Sequence, residues 1–269
     1  MFEHGFDQAA GLRGEPPRAG AGLMPVACPA QPARAYEMLC TLAAHLTALG
    51  REAVIVDGSA QEASERRGGH DGCHLGLQHA LRDTSISGLG RAPEGAEWLV
   101  MPAVHGLQTL QQTARSAGAG VALGRLLSPF SPDALVILFA PAQTLCSLFA
   151  GLPARALVPV LPQAQASIDA YGSLKLLHGA GFSPVLAPLA PGFETESVPL
   201  QQVVDTVTDC AQRHLGLQVP TWPLHTWGLR VQESALTRHS HRDTHRQQPG
   251  MRRAATDQRP AAPAQPLWS

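Results

Sequence analysis

The sequence predicts an α/β fold with a doubly wound, mostly parallel sheet. Apolar runs of strand length, such as residues 133–139, alternate with segments whose apolar residues recur at helical spacing, such as residues 36–49. The strand runs are apolar throughout, which is typical of strands covered by helices on both faces. A chain of 269 residues that is 44% hydrophobic can bury a core of this kind.

The first predicted unit is a strand, a helix and a second strand. Residues 23–27 form the first strand, and residues 36–49 form a helix that ends at Gly50. Residues 53–56 form the second strand, which ends at Asp57. We expect the two strands to lie parallel, because a right-handed crossover through the helix joins them.

The remaining elements follow the same alternation. We predict further strands at 98–102, 133–139, 156–161 and 183–189, and helices at 75–81, 107–116, 120–127, 167–178 and 201–214. Residues 1–20 are a polar leader, 21–230 form the domain, and 231–269 are a tail rich in His, Arg, Pro and Ala that we expect to be disordered. The tail histidines His239, His241 and His245 are predicted to be solvated, so no metal site is expected.

Composition excludes several classes of function. The net charge is −1 with histidine neutral, which gives no broad electrostatic reason for binding nucleic acid. Five scattered cysteines without a CxxC pair argue against a disulfide framework or a zinc knuckle. The first 14 residues lack the apolar region of a signal peptide, and no apolar run approaches the ~20 residues of a membrane helix. The predicted compartment is the cytoplasm.

The loop between the first strand and the first helix is where a phosphate-binding loop would lie. Such a loop needs glycines, a lysine for the phosphates and a Ser or Thr for Mg²⁺. Residues 28–37 contain no glycine and no lysine, while Pro29 and Pro32 each remove an N–H donor and Glu37 has the wrong charge. Only Arg34 could meet a phosphate, and the loop alone predicts an ordinary strand–helix connection.

Two short motifs carry a resemblance to a known family. Residues 7–13, DQAAGLR, look like the DQAxxLR motif of the FlhG (FleN) regulators of flagellar number, and residues 169–175, DAYGSLK, resemble the DAYALIK helix of the same proteins. Between them, segments 24–43, 55–59, 75–81, 100–107 and 133–138 resemble, in order, the nucleotide-binding core of the MinD/ParA family. The resemblance covers roughly residues 7–225 and implies a P-loop NTPase-like fold of the MinD/ParA type.

The sequence departs from the family at the positions of the catalytic residues. The positions of the two lysines, the Mg²⁺ ligand, the water-orienting aspartate and the Walker B aspartate fall on Ala30, Ala35, Tyr36, Ser59 and Leu138. Of the family's catalytic residues only Asp57 remains. Without the missing groups phosphoryl transfer loses most of its electrostatic stabilisation. We therefore predict a pseudo-ATPase with no catalytic residues, no cofactor, and a residual nucleotide site of Arg34 and Asp57, with weak ATP binding left open.

The resemblance assigns the function to the leader. In the family this segment folds as a helix against FlhF, a signal-recognition-type GTPase, and stimulates GTP hydrolysis. The implied partner-binding residues are Asp7, Gln8, Ala9, Leu12 and Arg13. Gln8 suits the orientation of a water or a phosphate group, Arg13 could pair with carboxylates or phosphates, and Ala9 and Leu12 supply an apolar anchor.

Two alternatives stay open beside this regulator of flagellar biosynthesis. One is a divergent MinD-like ATPase that uses Arg34 and Asp57. The other is a non-catalytic scaffold whose core binds a flagellar transcription activator or a C-ring protein. We expect a monomer, no nucleic-acid partner, and no membrane association, because no basic amphipathic helix follows Gly216. Recruitment to the cell pole or the inner-membrane face is left open.

Overall fold

The computed structural model describes residues 20–62, 76–91, 96–189 and 198–237. Six strands form one sheet in the order β3-β2-β4-β1-β5-β6, and every pairing within it is parallel. The strands are β1 Gly22–Cys28, β2 Glu52–Asp57, β3 Leu99–Pro102, β4 Ala134–Pro141, β5 Arg155–Val160 and β6 Ser183–Pro188. The predicted fold class is therefore confirmed.

Helices cover both faces of the sheet. They are α1 Pro32–Ala48, α2 Leu77–Arg82, α3 Val104–Ala117, α4 Ala119–Leu127, α5 Ala142–Phe149, α6 Ala164–Gly179, α7 Leu200–Leu215 and α8 Trp227–Ser234. Residues of α1 and α8 share one buried cluster with one face of the sheet. Residues of α2 to α7 share a second cluster with the other face. This gives three layers with the sheet in the middle.

The two clusters arise from the alternation of side chains along each strand. In β2, Ile55 belongs to the cluster on the α1 face, whereas Val54 and Val56 belong to the cluster on the opposite face. All three side chains are fully buried. A strand with both faces buried has no polar alternation, which explains why the apolar runs were recognisable in the sequence.

Packed structure continues beyond residue 230, the predicted end of the domain. Helix α8 continues to Ser234, and Val231 is fully buried. Leu236 then pairs with Leu23 of β1 through two backbone hydrogen bonds of 2.9 Å. The domain therefore extends through the last described residue of this region, Thr237.

Helices α5 and α8 were not predicted, because each has only eight residues and too few repeats of the apolar spacing. Among the described residues no helix is long and apolar enough to cross a membrane.

Because all six strands are parallel, their carboxyl ends lie at one edge of the sheet, which we call the carboxyl edge; the opposite edge is the amino edge. The chain leaves β1 through α1 toward β2 on one side, and later leaves β4 through α5 toward β5 on the other side. Ligands of open α/β sheets bind at the carboxyl edge where the strand order reverses in this way. The carboxyl end of β1 is therefore the place to look for a site.

Candidate functional site

The amino end of α1 forms the first wall of this site. Helix α1 begins at Pro32 directly after loop 29–31, and Gln31 supplies no side-chain cap. Uncapped N–H groups in a first helical turn attract anions, which is the feature that a phosphate would use. Arg34 lies in this turn, and its side chain is outside the described residues. The helix therefore keeps one element of a phosphate site.

A tyrosine and an aspartate fill the space beside that turn. Tyr36, one turn into α1, donates its hydroxyl to the Oδ2 atom of Asp57 at the end of β2. The Tyr36 ring meets the Phe139 ring edge-on, with the centroids 6.2 Å apart. Asp57 is only 3% exposed. Helix α1 therefore packs on the sheet with the Tyr36 ring beside Phe139 of β4 and the Tyr36 hydroxyl at the buried carboxylate of Asp57.

The second oxygen of Asp57 is bound by its own turn. The backbone N–H and the hydroxyl of Ser59 both donate to Oδ1, at 2.8 and 2.6 Å. The turn is tight because Gly58 lies against β4: an added Cβ would come within 2.5 Å of Leu107 and 2.9 Å of the Phe139 carbonyl oxygen. Both oxygens of Asp57 therefore have protein donors.

The pKa values of neighbouring groups reflect the negative charge of Asp57. Burial, and then the hydrogen bond and charge of Asp57, raise the pKa of the Tyr36 phenol well above its usual range. Burial, with the charge of Asp57 second, raises the pKa of the Cys28 thiol to about 12. Both groups stay neutral near pH 7, so neither offers an anionic ligand for a cation.

These residues do not fit ATP with Mg²⁺. Magnesium at a phosphate loop takes a Ser or Thr hydroxyl and a carboxylate with free oxygens. Here a bulky phenol stands at the hydroxyl position and hydrogen-bonds to the carboxylate, and the loop has neither lysine nor glycine. Among the described residues no group of three or more His, Cys, Asp or Glu could hold a metal ion.

The cleft beside the loop is also small. The cavity lined by Pro29, Gln31, Leu161, Gln163 and Asp169 has a volume of about 30 Å³. Ligand pockets usually measure roughly 300–1,000 Å³. This cavity is therefore smaller than a typical ligand site.

The structure corrects the position of the missing Walker B carboxylate. Leu138 was aligned with it, but Leu138 belongs to the buried cluster on the face away from α1. Phe139 pairs in register with Asp57 and contacts Tyr36, so Phe139 is the residue beside the site. The alternation of side chains in β4 separates these two adjacent positions onto opposite faces.

A second buried carboxylate lies at the same edge. The Glu62 side chain is 7% exposed and accepts the backbone N–H groups of His105 and Gly106 at 2.7 and 2.8 Å. It also meets the His105 ring nitrogen at 3.0 Å and accepts the N–H of Gln78 at 3.3 Å. Glu62 thereby occupies the amino end of α3, where an external anion would otherwise bind.

Burial of Glu62 acts to raise its pKa, but the hydrogen bonds outweigh burial. The donors are the backbone N–H groups of His105 and Gly106 and the His105 ring, and together they lower the pKa. No local sequence pattern predicts this contact, because Glu62 lies in a polar loop 43 residues before His105.

The predicted site residues separate into two groups. The residual pair Arg34 and Asp57 lies at the carboxyl edge, but the contacts of Asp57 are made by Tyr36 and Ser59. The predicted partner-binding residues Asp7, Gln8, Ala9, Leu12 and Arg13 lie outside the described residues. The fold and the site together define a doubly wound α/β protein in which Tyr36 and Ser59 bind the buried carboxylate at the carboxyl edge.

No protein-family model matches the chain, and no curated protein matches it either. Solved structures do resemble it. Cobyrinic acid a,c-diamide synthase from Mycobacterium smegmatis, with bound ADP and magnesium, has 15% identity and a TM-score of 0.46, covering 76% of this chain and 99% of the other. McdA from Cyanothece has 14% identity and a TM-score of 0.49, covering 78% and 90%.

The cell division ATPase MinD from Pyrococcus furiosus is a third similar structure. It has 14% identity and a TM-score of 0.47, covering 78% of this chain and 88% of MinD. At such identities the likeness concerns the fold and does not extend to activity, ligands or partners.

Proposed function

We propose that this chain is a regulator of flagellar number that acts on an FlhF-like GTPase through residues 7–13, without using ATP itself. One observation supports the statement that this chain does not use ATP. Both oxygens of Asp57, the sole acidic residue kept at the nucleotide site, accept hydrogen bonds from Tyr36 and Ser59. A core of this kind would serve as a folded carrier for the leader.

The leader supports the statement that this chain acts on an FlhF-like GTPase. DQAAGLR matches the five specified positions of the DQAxxLR motif at the end of the chain where that motif is expected. Gly11 disfavours a helix before binding, so the segment would fold on its partner. Gln8 would orient the attacking water or a phosphate group, and Arg13 would neutralise charge beside it. This chemistry belongs to the partner's site, and a closed site in this chain does not impair it.

The experiment is GTP hydrolysis by the cognate FlhF-like GTPase in the presence of a synthetic peptide of residues 1–20. Gln8→Ala and Arg13→Ala peptides test the two chemical roles. An Arg18→Ala peptide is the matched control, because it removes one arginine from the same leader outside the motif. We expect stimulation by the native and control peptides, and a loss of about tenfold or more for either motif variant.

Absence of stimulation by the peptide and by the full chain would reject the activator role. The scaffold alternative, in which the core binds a transcription activator or a C-ring protein, would then take its place. Equal stimulation by all four peptides would also reject the assigned roles, since it would show a nonspecific effect of the leader.

A further inference from the structure

A groove opens at the amino edge, on the side of the sheet opposite Asp57. Its volume is about 470 Å³, within the range of roughly 300–1,000 Å³ typical of ligand sites. Its lining includes Arg155, the first residue of β5, Ser183, the first residue of β6, and Trp222 and Arg230 from the C-terminal part of the domain. The groove is therefore built from segments that are distant in the sequence.

Two arginines converge on one tryptophan in this groove. The guanidinium carbons of Arg155 and Arg230 lie 5.8 and 5.7 Å from the centroid of the Trp222 ring. Both distances are within the range of cation–π contact. Arg155 also donates from Nη1 to the Ser234 hydroxyl at 3.1 Å. Stacking and this hydrogen bond hold the guanidinium groups in place before any ligand arrives.

No acidic side chain among the described residues forms an ion pair with either arginine. The groove lining contains no Asp or Glu, and within the described ranges neither Arg155 nor Arg230 forms an ion pair. His178 adds a third basic side chain to the lining. Two cations that line one groove favour a ligand that carries negative charge. Guanidinium groups bind carboxylates in bidentate geometry, which suits this arrangement.

The outer edge of β6 determines how a ligand could bind. From Leu186 onward this edge is already paired, because the Leu186 N–H donates to the Pro220 carbonyl and the Trp222 N–H donates to the Leu186 carbonyl. Two residues earlier, toward the groove, Pro184 has no N–H to offer. A ligand would therefore be held by side chains and not by the addition of a strand.

We propose that this groove binds a short acidic peptide segment of a partner protein. Its carboxylates would pair with Arg155 and Arg230, and its apolar side chains would pack on Leu217 and Pro220 in the lining. A peptide fits better than nucleic acid, because apolar residues line the groove beside the exposed arginines and the chain carries a net charge of −1. The proposal depends on the core and is independent of the leader.

The test is fluorescence anisotropy of a labelled eight-residue peptide that alternates Glu and Leu, titrated with the full-length protein. The Gln–Leu peptide of the same length is the charge control. We expect Arg155→Ala and Arg230→Ala each to weaken binding about tenfold, and added salt to weaken it further. Arg230→Lys, which keeps the charge but not the planar fork, should recover only part of the affinity.

Arg115→Ala is the matched protein control, because it removes an exposed arginine at the end of α3, away from the groove. It should bind the Glu–Leu peptide like the unaltered protein. The proposal is overturned if the protein does not bind this peptide, if the Gln–Leu peptide binds equally, or if both arginine variants bind normally. Competition by duplex DNA at lower concentration than the peptide would instead assign the groove to nucleic acid.

Discussion

Charged side chains at the two edges of the sheet differ in whether they have hydrogen-bonding or ion-pair partners. At the carboxyl edge, Asp57 is bound by Tyr36 and Ser59, and Glu62 by the amino end of α3. At the amino edge, Arg155 and Arg230 stack on Trp222 without an acidic partner among the described residues. The two carboxylates at the edge where this fold class usually binds ligands thus have protein partners, while the two groove arginines at the amino ends of β5 and β6 have no acidic partner among the described residues.

This difference indicates where recognition can occur. A buried carboxylate with complete hydrogen bonding gains little from a ligand, because binding would first break the internal bonds. Exposed cations that line one groove gain from an anion that binds there. The position of a site therefore follows from unsatisfied chemistry at least as much as from topology.

The largest effect on stability is expected from replacing Trp222, whose ring contacts both groove arginines. Trp222 is 2% exposed, and its carbonyl accepts the Trp227 indole N–H at 2.7 Å. Trp222→Ala should lower the free energy of unfolding by about 3–5 kcal/mol, because it leaves a cavity in the cluster shared with α1 and α8. Denaturant unfolding measures this. Trp222→Phe should lose less, and equal losses for both variants would contradict packing as the cause.

The next effect concerns the hydroxyl at the carboxyl edge. Tyr36→Phe removes one donor from the buried Asp57 carboxylate and should lower the free energy of unfolding by about 1–3 kcal/mol. Tyr171→Phe is the matched control, because the described contacts of Tyr171 are made by its ring and include no hydroxyl hydrogen bond. If the two variants have the same free energy of unfolding, the hydrogen bond from the Tyr36 hydroxyl to Asp57 does not stabilise the fold.

Glu62 should make stability depend on pH. Its folded-state pKa is lowered, so its contribution is present above the unfolded-state value of about 4.3 and is lost as the pH falls through the folded-state pKa. Glu62→Gln should therefore cost about 1–2 kcal/mol at pH 7 and nothing near pH 2. Unfolding by urea at several pH values gives the profile.

Glu233→Gln is the control for that profile. Glu233 is exposed on α8, so its substitution should change stability by less than about 0.5 kcal/mol at every pH. A cost for Glu62→Gln that persists at low pH would show that shape, and not charge, stabilises the amino end of α3.

The smallest effect should be that of ATP itself. A ligand present at 100 times its Kd adds about 2.7 kcal/mol to the stability of the folded state. We expect ATP with Mg²⁺ to shift the melting temperature by less than about 1 °C, and Arg34→Ala to leave that result unchanged. A shift of several degrees that Arg34→Ala abolishes would support the divergent ATPase instead.

The sequence was sufficient for the strands and for most of the helices, because buried strands are apolar throughout and the long helices repeat their spacing several times. Helices α5 and α8 were not predicted, because eight residues form only about two turns and repeat the apolar spacing too few times. The lack of glycine and lysine in residues 28–37 can also be read from the sequence, because it concerns one short segment.

Contacts between distant segments could not be predicted. Tyr36 was recognisable as a replacement for a metal ligand, but its bond to Asp57 requires α1 to pack on β4 and cross to β2. Arg155 and Arg230 are 75 positions apart by their numbers and meet only because α8 returns to the start of β5. Such pairs depend on tertiary packing, for which a single sequence carries no local signal.

The most direct test of the account is GTP hydrolysis by the FlhF-like GTPase with the full-length chain, measured with and without ATP. The Gln8→Ala chain serves as the inactive comparison, and Tyr36→Phe reports whether the carboxyl edge takes part. The account predicts equal stimulation with and without ATP, preserved in Tyr36→Phe and lost in Gln8→Ala. Stimulation that requires ATP, or that survives Gln8→Ala, would contradict it.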